Sequence, residues 1–596
     1  MERDSIDRSA VTESPLRFGS FELDVRSREL RNGPRSVRLQ EQPFEILRMM
    51  LEQPGRVVTR EELRRRLWPD GTFVDFEHSL NAAVKRLRAA LGDDADHPQF
   101  VETLPRRGYR FIGSVEPAGT ATTVPASAPG PRVRLAVLPF SSMSEETGQE
   151  YFTDGLTEEM IAQLGQLCRG RVGVIARWSS MMFKETHLRA REVGQALKAD
   201  YLLEGSVRRE GDRVRITARL VEAAAETHLW AETYERHLTD CLAVQADVAA
   251  RIAQSLAVEL APYDAPAPAR GDTSAAAYQE YLKGRFHWNK PDDYRSNACF
   301  IALEQALASF TQAVTIDPAY APAHAMIARV HVARGEYYME QPRHSLELAR
   351  SSAKRAMELE PGLAEAHLAL GDIRRMLEWD WRGAELAYAQ AIALNPSQEN
   401  PHRRYSILLA SLSRRAEAVR EAKRACELDP LCLVVGSSGA LVQYLVGDYD
   451  AAIERCRRTL DLDPQYLPAQ RLMAAAYLQS GRAGEAIESL AAVHAAAPQD
   501  PIAITWLAHA KAVTGDRTGA LDRLAHWRKL ERTRYLSSYH LALAQAGLGD
   551  MDEAFAALEK AMVEGDPALT YMAVEPRFEP LRADPRYMRL IDLLGL

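Results

Sequence analysis

At 596 residues the chain is too long for one hydrophobic core, and its 46% hydrophobic and 26% charged residues exclude a disordered or collagen-like class. A formal net charge of −8 excludes attraction of nucleic acid to the whole surface and leaves room only for a local basic face. The six cysteines, Cys168, Cys241, Cys299, Cys426, Cys432 and Cys456, form no CxxC pair, which argues against disulfide frameworks and zinc ribbons and for a reducing compartment.

The opening "MERDSIDRSAVTESP" has no apolar core and does not read as a signal peptide. No run of about 18 uninterrupted apolar residues occurs, so no membrane span is predicted and a cytoplasmic location is expected. Residues 115–131, almost uncharged and rich in Pro, Ala and Thr, and the Pro- and Ala-rich 261–275 read as linkers. They divide the chain into 17–114, 132–262 and 275–596.

In the first region Phe18, Phe21, Leu23, Leu30, Val37 and Leu39 alternate as strands, with turn signals "DVRS" and "RNGPRS" between them. "EQPFEILRMMLEQPG" predicts a helix with Phe44, Leu47 and Leu51 on one face and Pro54-Gly55 as its stop. "VVTREELRRRLW" predicts a second helix, with Thr59 and Glu62 as a capping box and Leu63, Leu67 and Trp68 as its apolar stripe. "LNAAVKRLRAALGDD" predicts a third. Leu80, Val84, Leu87 and Leu91 share one side. Ala82, Lys85, Arg86 and Ala89 share the other, with Asn81 and Arg88 flanking it. A charged helix face is ordinarily just solvated. Small residues beside cations, however, suit a helix that approaches a phosphate-lined groove closely. "FVETLPRRGYRFIG" then reads as a hairpin, its tip carrying Arg106 and Arg107, with Gly108 where φ > 0 is needed and Arg110 just behind.

These three helices and the basic hairpin, "RLQEQPFEILRMMLEQPGRVVTREELRRRLWPD", "LNAAVKRLRAALGDD" and "VETLPRRGYRFIG", resemble the OmpR/PhoB-type winged-helix DNA-binding domain over residues 17–114. The resemblance implies base contacts from Lys85 and Arg86 and minor-groove contacts from the wing residues Arg107 and Arg110; Asn81, flanking the helix face, and Arg106, at the hairpin tip, are DNA-binding candidates by position. Arg88 matches a family arginine that contacts phosphate or pairs internally. The family's wing has a glycine where this chain has Arg106. With sixteen residues before Arg17, no phosphoacceptor receiver is expected, and a one-component architecture of the CadC type follows.

In 132–262, "RLAVLPFSS" and "VGVIAR" predict buried strands around an amphipathic helix, "YFTDGLTEEMIAQLGQL". A further helix and a hairpin turning at Glu210-Gly211-Asp212 follow, then a last helix, "VQADVAARIAQSLAVEL". Asp154-Gly155 reads as a helix cap and Arg177-Trp178-Ser179-Ser180 as a strand-end loop, with a pocket wall as the alternative for both; Arg213, Arg215 and Arg219 read as the wet face of a strand, with nucleic-acid contact as the alternative. This small α/β domain with a mixed sheet resembles the TolB amino-terminal-like domain.

In 275–596 an alanine column, Ala306, Ala349, Ala384, Ala418, Ala452, Ala486, Ala520 and Ala554, steps by 34 residues from Ala384 onward. Prolines from Pro318 to Pro498 and glycines Gly447, Gly481, Gly515 and Gly549 punctuate it. Each period predicts one helix hairpin, and the pattern resembles about eight tetratricopeptide repeats ending in a cap, "RYMRLIDLLGL". Trp379, Trp381 and the cysteines read as packing residues.

The fold class is therefore multidomain: a winged helix-turn-helix (α+β), a small α/β domain with a mixed sheet and an all-α tetratricopeptide-repeat superhelix. The expected function is a one-component transcriptional regulator. Its expected partners are double-stranded DNA, a protein or peptide in the repeat groove and a second copy on tandem DNA sites, with no membrane. No catalytic motif, metal set or cofactor fingerprint is present in the sequence. Two other readings stand beside it: an interaction scaffold whose winged helix docks protein, and a nucleotide-linked signalling enzyme.

Overall fold

The computed structural model describes residues 16–18, 21–24, 29–32, 35–37, 39–51, 56–67, 76–91, 93, 98, 100–104, 107–111, 116–117, 133–143, 150–168, 172–184, 186, 188–210, 213–237, 274–290 and 298–596. They fall into two compact units, 1–126 and 127–596.

The first unit opens with an antiparallel meander, β1 (Leu16–Phe18), β2 (Phe21–Asp24), β3 (Glu29–Asn32) and β4 (Arg35–Val37). Phe21, Leu23 and Leu30 drive it into the core. Helix α1 (Glu41–Leu51), strand β5 (Val57–Thr59), α2 (Arg60–Leu67) and α3 (Phe76–Leu91) follow, then the hairpin β6 (Val101–Leu104) and β7 (Gly108–Phe111), and β8 (Glu116–Pro117). The predicted faces close one core, in which Phe44, Leu47, Leu51, Leu63, Leu80, Val84, Leu87 and Leu91 are all buried. The capping box forms: the Thr59 backbone N–H donates to Glu62 at 2.8 Å and the Glu62 N–H to Thr59 Oγ1 at 3.2 Å. The Thr59 N–H and hydroxyl, both donating to the Glu62 carboxylate, hold it below its usual range. Trp68, Ala89's side chain, Pro105 and Arg106 lie outside the described residues.

The reading of 115–131 as linker needs a correction at its start. Strand β8 pairs with β1, Leu16 opposite Pro117 and Arg17 opposite Glu116. Strand pairing uses backbone groups, so a segment without core side chains still joins a sheet.

The second unit begins with β9 (Val133–Val137), β10 (Ser141–Ser142), α4 (Glu150–Cys168), β11 (Val172–Val174), α5 (Arg177–Met181), α6 (Ala190–Leu197), β12 (Tyr201–Glu210), β13 (Arg213–Glu222) and β14 (Thr227–His237). Strand β9 runs parallel to both β11 and β12, while β12, β13 and β14 are antiparallel, which makes the sheet mixed. In β13, Val214, Ile216, Ala218 and Leu220 are buried, and Arg213, Arg215 and Arg219 face water, Arg215 pairing with Glu235. The helix predicted over "VQADVAARIAQSLAVEL" lies outside the described residues.

Asp154-Gly155 is not a cap but part of α4. A side chain at Gly155 would come within 2.8 Å of Leu282 Cδ2. The glycine is there for close approach of a helix from the repeats, and that contact is long-range in sequence.

Eight antiparallel helix pairs follow, from α7 (Ala275–Trp288) with α8 (Ala298–Ile316) to Ser538–Leu548 with Met551–Glu564; we number them repeats 1 to 8. All eight column alanines are fully buried, which lets the second helix of each pair lie close to the first. The glycines Gly447, Gly481, Gly515 and Gly549 take φ between +76° and +92° at the intervening turns. Asp380, Asp448 and Asp516 cap the second helices of repeats 3, 5 and 7. Among the described residues one helix, Cys299–Ile316, is long and apolar enough by composition to cross a membrane. It is α8, and it packs Ala306, Phe310 and Ala313 into the core.

The α/β domain and the repeats share one core. Leu135, Phe152, Leu156 and Ile216 pack in a single cluster with Tyr278, Tyr281, Leu282 and Phe310. Polar bonds extend the join. Ala176 N–H donates to the Leu428 carbonyl at 2.8 Å, and Ser179 donates through N and Oγ to Asp429 at 2.9 and 2.5 Å.

At the other end the chain folds back on the array. Tyr338 in repeat 2 donates to Asp566 at 2.8 Å, and Arg343 donates to the Val563 carbonyl at 2.8 Å. Trp381 Nε1 in repeat 3 donates to the Leu594 carbonyl at 2.7 Å, and Tyr444 in repeat 5 donates to Glu575 at 2.8 Å. The Arg577 guanidinium lies 4.1 Å from the Trp506 ring of repeat 7.

Candidate nucleic-acid interface

Helix α3 is fixed by its buried stripe, to which Ala83 adds. On its other side Asn81, Lys85 and Arg86 are exposed, with Ala82 half-buried between them. The side chain of Lys85 has no partner among the described residues. Arg86 Nη1 donates to Gln40 Oε1 at 2.7 Å, a neutral acceptor that a stronger one can replace.

The hairpin is locked to this helix at two points. Arg88 Nη2 donates to the Val101 carbonyl at 2.6 Å and to Thr103 Oγ1 at 2.8 Å. Tyr109 donates its hydroxyl to Asn81 Oδ1 at 2.9 Å and is itself buried. Arg88, grouped by sequence with the DNA contacts, is thus a strut between α3 and β6. Its half-buried guanidinium makes a charge-assisted bond to a strand carbonyl. Asn81 keeps its amide N–H₂ exposed but places its oxygen on the hairpin.

At the hairpin turn Arg107 N–H donates to the Leu104 carbonyl at 3.0 Å, and its own carbonyl accepts from Arg60 N–H at 3.2 Å. Its side chain is exposed, with no partner among the described residues. Gly108 follows at φ +156°, where a Cβ would overlap the Val58 carbonyl oxygen. Arg110 is different: it pairs with Glu102 across the hairpin at 2.6 Å, which offsets most of its field. Arg106 lies outside the described residues. The structure therefore leaves Lys85, Arg86 and Arg107 as outward cations, ties Asn81 and Arg88 to the hairpin and pairs Arg110 with Glu102. Sequence reasoning missed Tyr109 and Gln40, which position the site. A buried tyrosine in a four-residue strand was the available signal for the first.

Residues 34–111 match the family model described as "Transcriptional regulatory protein, C terminal", and residues 132–251 match "HilA/YgeH-like transcriptional regulator, second domain". Residues 444–503 and 537–562 match tetratricopeptide-repeat models. A Rhizobium meliloti (strain 1021) protein named "Putative adenylate cyclase 3" is 36% identical over 216 residues, which are 36% of this chain and 35% of the relative. "Transcriptional regulator HilA" of Salmonella typhi is 23% identical over 453 residues, 74% of this chain and 76% of the relative. The chain thus spans about a third of the first relative and three quarters of the second. Among solved structures, the Klebsiella pneumoniae RstA DNA-binding domain in complex with the RstA box is 29% identical, with 16% of this chain covering 96% of that one at a TM-score of 0.15.

Proposed function

We propose that the chain is a DNA-binding transcriptional regulator of one-component type, working in the cytoplasm, whose first unit binds promoter DNA and whose second unit receives the signal. The observation that carries the reading is the exposed pair Lys85 and Arg86 on a helix anchored by a buried stripe, with exposed Arg107 on a hairpin tied to that helix. The match of this segment to a transcriptional-regulator model supports it, as does the similarity to HilA over most of both chains.

In this reading α3 lies in the major groove. Arg86 exchanges Gln40 for a guanine edge, where a bidentate contact discriminates by about 1–3 kcal/mol. Lys85 meets a base edge or phosphate, and Arg107 reaches the flanking minor groove. The Arg88 and Tyr109 ties make helix and hairpin one rigid reader, so both contacts form without further ordering cost. Two copies on tandem half-sites extend the same geometry. The α/β domain, whose likeness to the TolB amino-terminal-like domain we retain, and the repeats act as sensor. A protein partner of the repeats either uses surfaces that residues 562–596 leave open or displaces that segment.

We take the chain to be a regulator without enzymatic activity. The enzyme reading draws on the name of the Rhizobium relative, and incubation with nucleoside triphosphates, assayed for cyclic products, separates the two. The regulator reading is tested by selecting sites for full-length protein from random duplex DNA. A consensus bound at least a hundredfold more tightly than scrambled DNA supports it. No enrichment, or an enrichment unchanged in Lys85→Ala/Arg86→Ala, refutes it.

A further inference from the structure

A chamber of about 210 Å³ lies inside the second unit, between α4 and α5 of the α/β domain and repeats 1 to 5. Arg177 and Trp178, from the run that the sequence marks as a strand-end loop or pocket wall, form part of its lining. Much of the charge around it is satisfied within the wall: Arg285 pairs with Glu158, and Arg404 with Glu336.

Six charged side chains of the lining are not satisfied in that way; Lys290 is exposed and Asp429 accepts from Ser179, which leaves four. Among the described residues Arg329, Arg403, Glu365 and Glu399 have no oppositely charged partner within 4.0 Å. Arg329 has only the Trp288 ring, 5.1 Å from its guanidinium carbon. Arg403 donates to Asn400 Oδ1 at 2.9 Å, a neutral acceptor, and Glu399 accepts from Asn400 Nδ2 at 2.5 Å. Burial works against the charge on both arginines and pushes Glu399 up. The Nε atoms of Arg177 and Arg285 and the Gln398 Oε1 are also buried with no hydrogen-bond partner among the described residues, and Arg285 is 9% exposed. Buried charges are normally paired, because leaving them alone forfeits their hydration with nothing in return. Two of each sign, two of them buried and two half-buried, unpaired around one partly open cavity, describe a site for a ligand that carries both.

We infer that this chamber binds a small zwitterion of amino-acid size, its carboxylate taken by Arg329 and Arg403 and its ammonium by Glu365 and Glu399, against the Trp178 and Trp288 rings. An ion of one sign would leave the opposite pair unsatisfied. Pockets for drug-sized ligands and cofactors run to about 300–1,000 Å³, so a nucleotide is too large for this one. The ligand would touch both the α/β domain and the repeats. The inference concerns the second unit alone and stands whether or not the first unit binds DNA.

The test uses the full-length chain. Thermal melting is followed with each proteinogenic amino acid, and binding of any that shifts the transition is titrated calorimetrically. We expect at least one to raise the melting temperature by several degrees. Its N-acetyl acid, which lacks the ammonium, and the amine lacking its carboxylate should each bind at least tenfold more weakly. Arg329→Met and Glu399→Gln should abolish the ligand-induced shift. Both should melt without ligand at the wild-type temperature or above it, because each removes a half-buried charge with no oppositely charged partner. A merely structural role for these residues would instead lower the unliganded transition, and that result overturns the inference. So does a panel in which no amino acid shifts the melt, or equal binding of either single-charge analogue.

Discussion

Replacing Arg107 and Arg88 one at a time separates a DNA contact from a structural strut, because the two arginines sit in opposite surroundings. Arg107 is exposed at the hairpin turn and its side chain has no partner among the described residues. If it neutralises one phosphate, Arg107→Ala reduces the slope of log K against log salt by about 0.9. Between about 50 and 200 mM salt one such contact is worth about 3.5-fold in affinity, or ~0.7 kcal/mol. Arg88 instead donates to the Val101 carbonyl and to Thr103 Oγ1. Thr103 is exposed and rebonds to water, while the buried Val101 carbonyl loses its bond from a charged donor, at a cost of about 1.5–3 kcal/mol. Arg88→Met should therefore lower the urea-unfolding free energy of the 1–126 fragment by that amount and leave the salt slope alone. Fluorescence anisotropy on the selected site over a salt series, with urea melts of the same variants, reads both quantities. A flattened slope with unchanged stability in Arg88→Met, or an unchanged slope in Arg107→Ala, would refute the division.

Gly108→Ala should destabilise the first unit by about 1–3 kcal/mol in the same urea melts, since its Cβ overlaps the Val58 carbonyl and no side chain there can swing away. Asp429 is a buried carboxyl that burial and neighbouring Glu399 push up to about 7. The folded state then binds a proton that the unfolded chain has released, so its contribution to stability falls as pH rises from about 4 to about 7. Asp429→Asn should flatten that part of the pH profile in chemical denaturation of full-length protein, and an unaltered profile would count against the assignment. A 275–596 fragment made alone should expose Tyr278, Leu282 and Phe310 and bind the dye ANS strongly, whereas 127–596 should not. Equal dye binding by the two fragments would show that the shared core is dispensable.

Much of this fold was legible because its signals are local or periodic. The stripe Leu80, Val84, Leu87 and Leu91, the Thr59–Glu62 box, the alanine column and the alternating face of β13 each follow from spacing alone. What escaped was long-range. Arg88 looks the same in sequence whether it faces a phosphate or the Val101 carbonyl, and only the docking of the hairpin decides. Gly155 sits where a helix cap was plausible, and its cause is Leu282, more than a hundred residues away. The 261–275 stretch signals a lack of core side chains. It says nothing about whether the elements on either side of it pack together, and here they share one hydrophobic cluster.

The anchoring of residues 562–596 changes how the repeat array comes apart. A linear solenoid behaves as a chain of nearest-neighbour couplings and frays from its termini, so each end repeat opens at little cost. Here α7 and α8 are sealed by the α/β domain, and the last segment is bonded to repeats 2, 3 and 5. A zipper with both ends fastened has no cheap first step. Opening one repeat requires breaking a distant seam at the same time, which converts sequential fraying into one cooperative event. Hydrogen exchange across repeats 1 to 8 should then report a single opening free energy rather than a gradient toward the ends.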